Sequence, residues 1–552
     1  MSPAGAAMAN VFRTVSPSRR VGLVIPASAL ARELAGADAV SWQVSEPAAM
    51  SSADTVVYVP RMAAGMDLRP DLLHAADALT ALTQMRPGHV VVVSSTAVYG
   101  ATPHHAGLTA ERRVAAGSAQ PIARAWQDLE SLAADAFGGR LTVLRAAPVV
   151  ARGECDFFAR LLSSRLAFTV AGHDPTVQFL SPRDLAAAIL RAIEEGPDGT
   201  FNIVPAAPIT LRGALREAGV VRIPVPWTLH RLSRFVLRRL TGSASADQVQ
   251  YVRYHLTAAP EKAADTLGFV PKDSSAAAVC GLRGNVGPSV GPSHSDPFGL
   301  DPDYIRACDR GFLGFMRRKY WRVETQGLEH LPRTGGAVLV GMHRGFMPFD
   351  GVMTLLGVVE GTGRIPRFLI HPGVGLRFPY LFNLMSKLGG VIACQENADR
   401  VLAAGELLGV YPEGIRGAFT MYKRAHRIGP SWRNDCIAFA LRHRVPIVPF
   451  VTIGSAEVFP IVGRIDWRWW KQYTEWPFIP ITTPVPLPSK WHTQFLEPIC
   501  VEREYPPEAA ADAAVVRAIG ADVKRRMESA TAHLLSRRRS RFVGSLLGEA
   551  QP

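Results

Sequence analysis

Short apolar runs rich in β-branched residues recur along the chain and alternate with segments of helical periodicity. The runs occupy residues 21–26, 55–59, 90–94, 337–340, 407–410 and 445–450. Such alternation favours parallel sheets flanked by helices, which makes the chain an α/β protein. Its 552 residues exceed the size of one ordinary domain, so we expect at least two.

The chain is strongly basic, with a formal net charge of +14 and a pI near 9.8. Such a charge predicts an anionic partner, either nucleic acid or an anionic membrane surface, although the arginine bias of a GC-rich genome explains it as well. Hydrophobic residues make up 48% of the chain and charged residues 20%, which excludes a disordered protein.

Targeting and anchoring segments are not evident in the sequence. Residues 1–20 lack the apolar core of a signal peptide. No run reaches the roughly 18 apolar residues of a spanning helix. The six cysteines are scattered and form no C-x-x-C pair, so we predict neither disulfides nor a zinc site. We therefore expect a cytoplasmic protein that associates with membranes only peripherally.

Motifs in the first half occur in a characteristic order. They are VVVSSTAVYG at 91–100, LRAAP at 144–148, FLSPRDL at 179–185, GTFNIV at 199–204 and LGFVP at 267–271. Together they resemble the extended short-chain dehydrogenases, the family of the NAD-dependent epimerases, over residues 18–283. The resemblance implies a Rossmann-like, doubly wound parallel sheet in a first domain of residues 1–283.

The catalytic chemistry of that family is missing here. Its dinucleotide-binding turn needs glycines so that backbone N–H groups approach the pyrophosphate, and residues 25–30 contain none. Its catalytic tyrosine and lysine share a helix, but the first lysine of this chain is Lys262. If Glu130 matches the family's helix glutamate, Trp126 and Ile122 occupy the lysine and tyrosine positions. We predict a structural or regulatory domain without retained NAD(P) binding, and we assign no cofactor-binding residue.

Two further segments are characterised by composition. Residues 284–303 are rich in glycine, proline and serine, which predicts an interdomain linker. Residues 229–240 carry apolar residues at helical spacing, with arginines between them. This pattern fits either a helix on an anionic membrane or a domain helix whose apolar stripe is buried.

The second half carries the motifs with the clearest chemistry. GMHRGFMPFD at 341–350 follows an apolar run, and YPEGIR at 411–416 and VPIVPF at 445–450 come later. A neutral imidazole can remove a proton from a hydroxyl near neutral pH, so His343 is a candidate general base. A carboxylate on its second nitrogen, supplied by Asp350, would fix the tautomer and stabilise the imidazolium.

The ordered motifs resemble the glycerolipid acyltransferases, a family that includes the lysophosphatidic acid acyltransferases, over residues 304–535. The resemblance implies transfer of a fatty acyl group from acyl-CoA or acyl carrier protein to a glycerolipid-type hydroxyl, such as that of lysophosphatidic acid. His343 and Asp350 are then catalytic, and no metal or other cofactor is required. The expected substrate-binding residues are Glu413, Gly414, Arg416, Arg367 and Lys387.

The spacing within the first motif departs from that family, which separates the two residues by four. Here six residues intervene. On a straight helix this separation places the two side chains on one face but about 10 Å apart along the axis. The segment must therefore turn back, and Gly345 and Pro348 are the residues that permit a turn. This departure from the family's spacing concerns the identity of the acceptor more than the type of reaction.

Aromatic and basic residues are interleaved after the third motif. The residues are Trp467, Arg468, Trp469, Trp470, Lys471, Tyr473, Trp476 and Phe478. Tryptophan favours the membrane–water interface and basic residues favour anionic lipid, so we predict membrane docking, with burial in the core as the alternative. Such interleaving also occurs in sites for single-stranded nucleic acid. Residues 536–552 form a basic tail that either adds surface attraction or is solvated.

The sequence therefore predicts a bacterial acyltransferase of phospholipid biosynthesis with a lipid acceptor, an anionic membrane surface as partner and no nucleic acid. One alternative is an NAD(P)-dependent epimerase or oxidoreductase activity of the first domain. Another is a non-catalytic, nucleotide-sensing membrane module. Acyl chain length, acceptor, donor carrier, the role of the first domain and the oligomeric state stay open.

Overall fold

The computed structural model of the chain describes residues 20–24, 30, 41–44, 54–60, 69–102, 108–111, 120–151, 157–225, 248–282, 296, 298–374, 378–474 and 476–538. The chain divides into two compact units, with the division between Gly299 and Leu300. Three predicted features lie outside the described residues. They are the glycine-free turn at 25–29, the basic segment 229–240 and most of the linker 284–303.

The first unit alternates strands and helices. Its strands are β1 (Arg20–Val24), β2 (Ser41–Val44), β3 (Thr55–Tyr58), β4 (His89–Ser95), β5 (Leu141–Ala146), β6 (Leu166–Val170), β7 (Thr176–Val177), β8 (Gly199–Ile203), β9 (Ile209–Thr210) and β10 (Val221–Val225). Its helices are α1 (Arg69–Met85), α2 (Pro121–Phe137), α3 (Phe157–Ser163), α4 (Pro182–Glu195), α5 (Leu211–Glu217), α6 (Gln248–Tyr251), α7 (Glu261–Leu267) and α8 (Ser275–Gly281).

A parallel sheet forms the centre of this unit. Its strand order is β2-β1-β3-β4-β5-β8, and every neighbouring pair is parallel. Successive residues of β4 face opposite sides, so Val91 packs in one apolar cluster and Val90 in another. Ile189 of α4 covers the first face, and Leu82 of α1 covers the second. Helices therefore lie on both faces, and the predicted doubly wound α/β sheet is confirmed.

Helix α2 shows what occupies the positions predicted for the tyrosine and the lysine. Ile122 and Trp126 both pack against apolar clusters. Glu130, one turn further on, forms an ion pair with Arg145 at 2.6 Å, and both side chains are largely buried. Ser94 also donates a hydrogen bond to the Glu130 carboxylate at 2.5 Å. Glu130 therefore ties this helix to the sheet, because its partners Ser94 and Arg145 belong to β4 and β5.

The second unit also alternates strands and helices. Its strands are β11 (Glu324–Gln326), β12 (Ala337–Gly341), β13 (Arg367–Ile370), β14 (Val391–Ile392), β15 (Leu407–Val410), β16 (Ile447–Ile453), β17 (Gly463–Ile465), β18 (Ile479–Ile481) and β19 (His492–Phe495). Its helices are α9 (Pro302–Arg310), α10 (Phe312–Phe315), α11 (Phe349–Thr362), α12 (Pro379–Lys387), α13 (Gln395–Ala403), α14 (Gly414–Ala418), α15 (Asp435–His443), α16 (Ser455–Val458), α17 (Arg468–Thr474), α18 (Val501–Glu504) and α19 (Ala513–Arg537).

The sheet of the second unit is mixed. Its order is β11-β19-β16-β12-β15-β13-β14. The pairs from β16 to β14 are parallel, whereas β16 and β19 are antiparallel. The apolar runs predicted at 337–340, 407–410 and 445–450 correspond to β12, β15 and β16, three adjacent strands. Asp301 caps α9 by accepting a hydrogen bond from the Tyr304 amide, so ordered structure begins before residue 304.

Arg538, at the start of the predicted basic tail, is part of the folded unit. Its side chain is buried and forms an ion pair with Glu457, which is fully buried. It also donates to the carbonyl oxygen of Lys490 at 3.0 Å. Neither surface attraction nor full solvation describes this arginine, because its guanidinium neutralises a buried carboxylate. Residues 539–552 lie outside the described residues.

Three further findings on the described ranges concern membrane-spanning helices, metal clusters and cysteines. No helix in those ranges has the length and apolar character to cross a membrane. The same residues contain no group of three or more His, Cys, Asp or Glu side chains that could hold a metal ion. None of the cysteines that the structure describes forms a disulfide, namely Cys280, Cys308, Cys394, Cys436 and Cys500.

Two buried histidines make the first unit sensitive to acid. His255 Nδ1 accepts a hydrogen bond from the Thr176 amide at 3.1 Å, and burial lowers the pKa of His255 to about 4. Burial, followed by the charge of Arg253, lowers the pKa of His173 to about 4. The ordinary value is 6.5. Below it the unfolded chain binds protons that the folded unit excludes, so stability is complete above about pH 6.5 and falls towards pH 4.

We expect acidification to about pH 5 to remove about 2 kcal/mol of stability per histidine. Hydrogen exchange measured by mass spectrometry at about pH 7.5 and about pH 5, corrected for the intrinsic rate, tests this expectation. Protection should fall in peptides that contain β7 and residues 248–258, whereas peptides from β12 serve as the control. Equal corrected protection of β7 at both pH values would contradict the prediction.

Candidate active site

The motifs of the second unit meet at one edge of its sheet. Strands β12 and β15 are parallel neighbours, with Val340 opposite Val410. The segments that follow these strands, which begin with Met342 and Tyr411, therefore emerge side by side. Strand β16 is the parallel neighbour of β12 on its other side. Ligand sites of α/β folds commonly form at this carboxyl edge of parallel strands.

The segment between β12 and α11 turns back, as its six-residue gap requires. Gly345 has a φ of 103°, and a Cβ at this position would lie 3.2 Å from the carbonyl oxygen of Ser455. Pro348 precedes the first residue of α11, so Asp350 lies in the first turn of that helix. His343 Nδ1 consequently lies 2.7 Å from Asp350 Oδ2. The turn thus brings the carboxylate back to the imidazole.

The Asp350 carboxylate is buried and oriented by backbone donors. Its Oδ2 also accepts from the Arg344 amide at 2.9 Å, and its Oδ1 accepts from the Gly351 amide at 2.8 Å. The positive end of the α11 dipole adds a favourable field. Because the carboxylate accepts from Nδ1–H of His343, the basic lone pair of the imidazole is on Nε2. This is the tautomer that a general base needs.

Tyr411 supports the face of the imidazole. The ring centroids of His343 and Tyr411 are 4.8 Å apart with an interplanar angle of 22°, and Tyr411 stacks in turn on Phe368 at 5.5 Å. Burial, together with the nearby Asp350 carboxylate, raises the pKa of Tyr411 well above its ordinary value. The phenol therefore stays neutral. A neutral aromatic face restricts the rotation of the imidazole and stabilises an imidazolium.

Arg344 and Glu413 form a buried ion pair that sequence reasoning did not anticipate. Arg344 donates from Nη1 to Glu413 Oε2 at 2.7 Å and from Nη2 to Oε1 at 3.2 Å. The two side chains are 2% and 1% exposed. Arg344 also donates to the carbonyl oxygens of Ala425 and Arg427, and Glu413 accepts from the Gly429 amide. The pair therefore joins the turn after β12, the segment after β15 and residues 425–429.

This geometry bears on the role predicted for Glu413. Both carboxylate oxygens are already engaged by Arg344, and one also accepts from Gly429. The residue is 4% exposed, which places it beneath the surface of the site. Holding three segments together is therefore the role that its contacts favour over contact with a glycerol hydroxyl. The opposite charges of Arg344 and Glu413 were the only signal in the sequence, and their spacing could not pair them.

Cationic side chains lie on the surface beside the pair. Gly414 begins α14 with a φ of 55°, and the space where its Cβ would stand is open. The exposed cations that follow, which we call the cationic rim, are Arg416, Lys423, Arg424 and Arg427. No acidic residue occurs between residues 414 and 434. The rim lies near His343 because Arg344 binds the backbone of Ala425 and Arg427.

Arg367 and Lys387, both predicted to bind the anionic part of the acceptor, lie elsewhere in the unit. Arg367 begins β13 and is completely buried, with Nε donating to the carbonyl oxygen of Gly389 at 3.1 Å. Lys387 ends α12, and its Nζ lies 5.3 Å from the centroid of the Tyr304 ring. These placements favour a structural role for Arg367 and a contact with the start of the unit for Lys387.

Comparison with solved structures gives likenesses that cover about half of the chain. MoeE5 in complex with UDP-glucuronic acid and NAD is 16% identical, with 47% of this chain and 96% of that chain covered and a TM-score of 0.37. UDP-glucose 4-epimerase from Thermotoga maritima is 15% identical, with 48% and 97% covered and a TM-score of 0.37.

Sequence comparison gives clearer relationships. Residues 322–453 match the Acyltransferase family, which confirms the resemblance predicted for the second half. An uncharacterised protein of Mycobacterium tuberculosis is 34% identical over 259 residues, which cover 45% of this chain and 72% of the relative. An uncharacterised protein of Mycobacterium leprae is 35% identical over 260 residues, which cover 45% and 70%. The chain therefore belongs to the same family as these mycobacterial proteins, and it carries an acyltransferase domain in its second unit.

Proposed function

We propose that the protein transfers a fatty acyl group from acyl-CoA or acyl carrier protein to the hydroxyl of a glycerolipid-type acceptor, such as lysophosphatidic acid, in phospholipid biosynthesis. The observation that carries this proposal is the 2.7 Å contact between His343 Nδ1 and Asp350 Oδ2, within the residues that match the Acyltransferase family. It supplies a general base whose orientation is held by a buried carboxylate.

The reaction follows from that geometry. Nε2 of His343 removes the proton from the acceptor hydroxyl as the hydroxyl oxygen attacks the carbonyl carbon of the thioester. Asp350 stabilises the imidazolium, and Tyr411 lies against its ring. The carbon–sulfur bond then breaks, and the leaving thiolate takes the proton from Nε2. The imidazole returns to its neutral form, so the scheme calls for no metal and no redox cofactor.

The cationic rim supports an acceptor or donor that carries phosphate. Arginine presents a planar fork of donors that matches phosphate oxygens, and Arg416 is exposed on α14 next to Gly414. Glu413 enters this proposal as the residue that positions the rim. Arg367 does not enter it as a ligand, because a fully buried guanidinium cannot reach a substrate without disrupting its own contacts.

For the first unit we propose a structural or regulatory role without NAD(P) binding. The support is the packing of Ile122 and Trp126 at the positions that would carry the catalytic tyrosine and lysine. We place the acyl transfer at the cytoplasmic face of a membrane, where a lipid acceptor is available. Calorimetric titration of the full chain with NAD and NADP tests the first point, and tight binding would overturn it.

Replacement of the general base should stop the reaction. We expect His343→Ala and Asp350→Asn to lower acyl transfer by about 10²- to 10⁴-fold, because each removes part of the proton transfer. Labelled acyl-CoA and acyl carrier protein donors, offered with lysophospholipid, glycerol phosphate and acylglycerol acceptors, provide the assay. His533→Ala, an exposed histidine of α19, is the control. Full transfer by His343→Ala would contradict the mechanism.

Removal of one partner from the buried ion pair should destabilise the second unit. We expect Glu413→Gln to cost about 3 to 5 kcal/mol, because it leaves the Arg344 guanidinium without its counter-charge. The double variant Arg344→Met/Glu413→Leu should recover part of that loss in thermal unfolding. Arg433→Ala breaks an exposed ion pair with Asp435 and serves as the control. A raised KM with an unchanged Tm in Glu413→Gln would instead assign Glu413 to substrate binding.

The aromatic ring of Tyr411, which stacks on the His343 imidazole, should affect turnover, whereas its hydroxyl should not. We expect Tyr411→Phe to keep nearly normal activity, because it retains the aromatic face. Tyr411→Leu should lose roughly 1 to 2 kcal/mol of transition-state stabilisation, roughly a 5- to 30-fold fall in kcat. Steady-state kinetics on both variants provides the measurement. A Leu variant with the wild-type kcat would show that the stack has no part in the reaction.

A further inference from the structure

An exposed apolar surface lies on the segment that connects β16 to β19. Strands β17 and β18 pair antiparallel, and helix α17 lies between them in the chain. We call residues 462–485 the aromatic hairpin. Trp467 and Trp469 are 53% and 55% exposed, and their rings lie 5.5 Å apart. The other exposed apolar side chains of the hairpin are Val462, Ile465, Ile481 and Val485.

The opposite side of the hairpin is packed against the unit. Phe478 is buried in a cluster with Phe419 and Ile461. Trp476 contacts Phe346 and Phe419, each with ring centroids 5.2 Å apart. The hairpin therefore has a buried inner face that anchors it and an outer face whose apolar side chains are exposed. Burial in the core therefore describes the inner face, and membrane docking concerns the outer face.

The inner face connects the hairpin to the catalytic turn. Phe346 belongs to the segment between His343 and Asp350, and it packs edge-on against Trp476. Trp470 of α17 also contacts Trp476, with ring centroids 5.9 Å apart. The hairpin thus connects a surface bound by its outer face to the segment that carries His343, through the contact between Trp476 and Phe346.

The charges around the hairpin match an anionic surface. Lys423 and Arg424 of the cationic rim follow Tyr422, whose amide donates to the Ile461 carbonyl at the base of the hairpin. Within the hairpin, Asp466 is paired with Arg464 at 3.1 Å and with Lys471 at 2.8 Å. An apolar, tryptophan-bearing surface bordered by cations is the combination that favours the interface of an anionic bilayer. A second copy of the same surface would bring like charges together.

We propose that the aromatic hairpin docks the protein on the interface of an anionic lipid bilayer. Trp467 and Trp469 enter the boundary between head groups and acyl chains, and Lys423 and Arg424 face the head groups. Docking in this way presents the catalytic turn to lipid acceptors in the bilayer. Only that last step rests on the proposed function, because bilayer binding itself requires no acyl transfer.

Vesicle binding by the full chain tests the proposal. We expect the wild type to co-sediment with phosphatidylcholine vesicles that contain about 30% phosphatidylglycerol, and less with neutral vesicles or at high salt. The double variant Trp467→Ser/Trp469→Ser should bind at least about tenfold more weakly. Leu73→Ser and Val270→Ser are the matched controls, since these apolar residues of the first unit are 67% and 65% exposed. All the substitutions are at exposed positions, and circular dichroism checks the fold.

Two further measurements locate the contact. Lipids brominated near the head group should quench tryptophan fluorescence in the wild type, and the double variant should lose this quenching. Lys423→Gln/Arg424→Gln should reduce the preference for anionic over neutral vesicles while quenching by bound brominated lipid persists. The first result would support entry of the tryptophans into the bilayer interface. The second would support contact between the two cations and the lipid head groups.

Three outcomes would overturn the proposal. They are equal vesicle binding by the wild type and the tryptophan variant, no binding by the wild type, and a lipid-free dimer that the tryptophan substitutions abolish without any vesicle binding. The last outcome, measured by sedimentation velocity, would assign the surface to self-association. His343→Ala separates this proposal from the proposed function, because it should bind vesicles normally. If that variant also retained acyl transfer, the mechanism would fail and docking would stand.

Discussion

The buried ion pair between Arg344 and Glu413 is the interaction on which the site depends. A charged pair in a low-dielectric interior is stable only when its remaining hydrogen-bonding groups are satisfied. Here the Arg344 guanidinium meets both Glu413 oxygens and three backbone carbonyls, those of His343, Ala425 and Arg427. The turn that carries His343, the segment after β15 and residues 425–429, which include Arg427 of the cationic rim, are therefore held in one arrangement. A shift of the first two segments would separate the buried charges, and a shift of residues 425–429 would break hydrogen bonds that both charges make.

The two units use similar architectures for different purposes. In the first, Glu130 of α2 forms an ion pair with Arg145 of β5 and accepts a hydrogen bond from Ser94 of β4. In the second, the buried carboxylate of Asp350 is directed at an imidazole that is still partly exposed. Neighbouring parallel strands bring polar groups together at one edge of the sheet in both cases. Whether that edge performs chemistry depends on which side chains the sequence places there, because the fold alone does not supply a function.

Local patterns predicted much of the fold and part of the site. The apolar runs at β12, β15 and β16 identify strands because a strand buried on both faces must be apolar along its whole length. Gly345 and Pro348 identify a turn because their backbones favour it, and the His343–Asp350 contact follows from that turn. The role of Glu413 did not follow, since its partner Arg344 is distant in sequence. The two faces of the aromatic hairpin were not separable either, because alternation of tryptophan and arginine does not say which side is buried.

The sequence by itself determined the α/β class, the candidate base with its carboxylate, and the absence of any lysine before Lys262. These properties depend on residue identity and on neighbours close in the chain. The tertiary structure decided the pairing of Arg344 with Glu413, the burial of Arg367 and the stack of Tyr411 on His343. Each of these joins segments that are distant in sequence and become neighbours only through the strand order of the sheet. Long-range contacts of this kind depend on register and topology, which local periodicity does not encode.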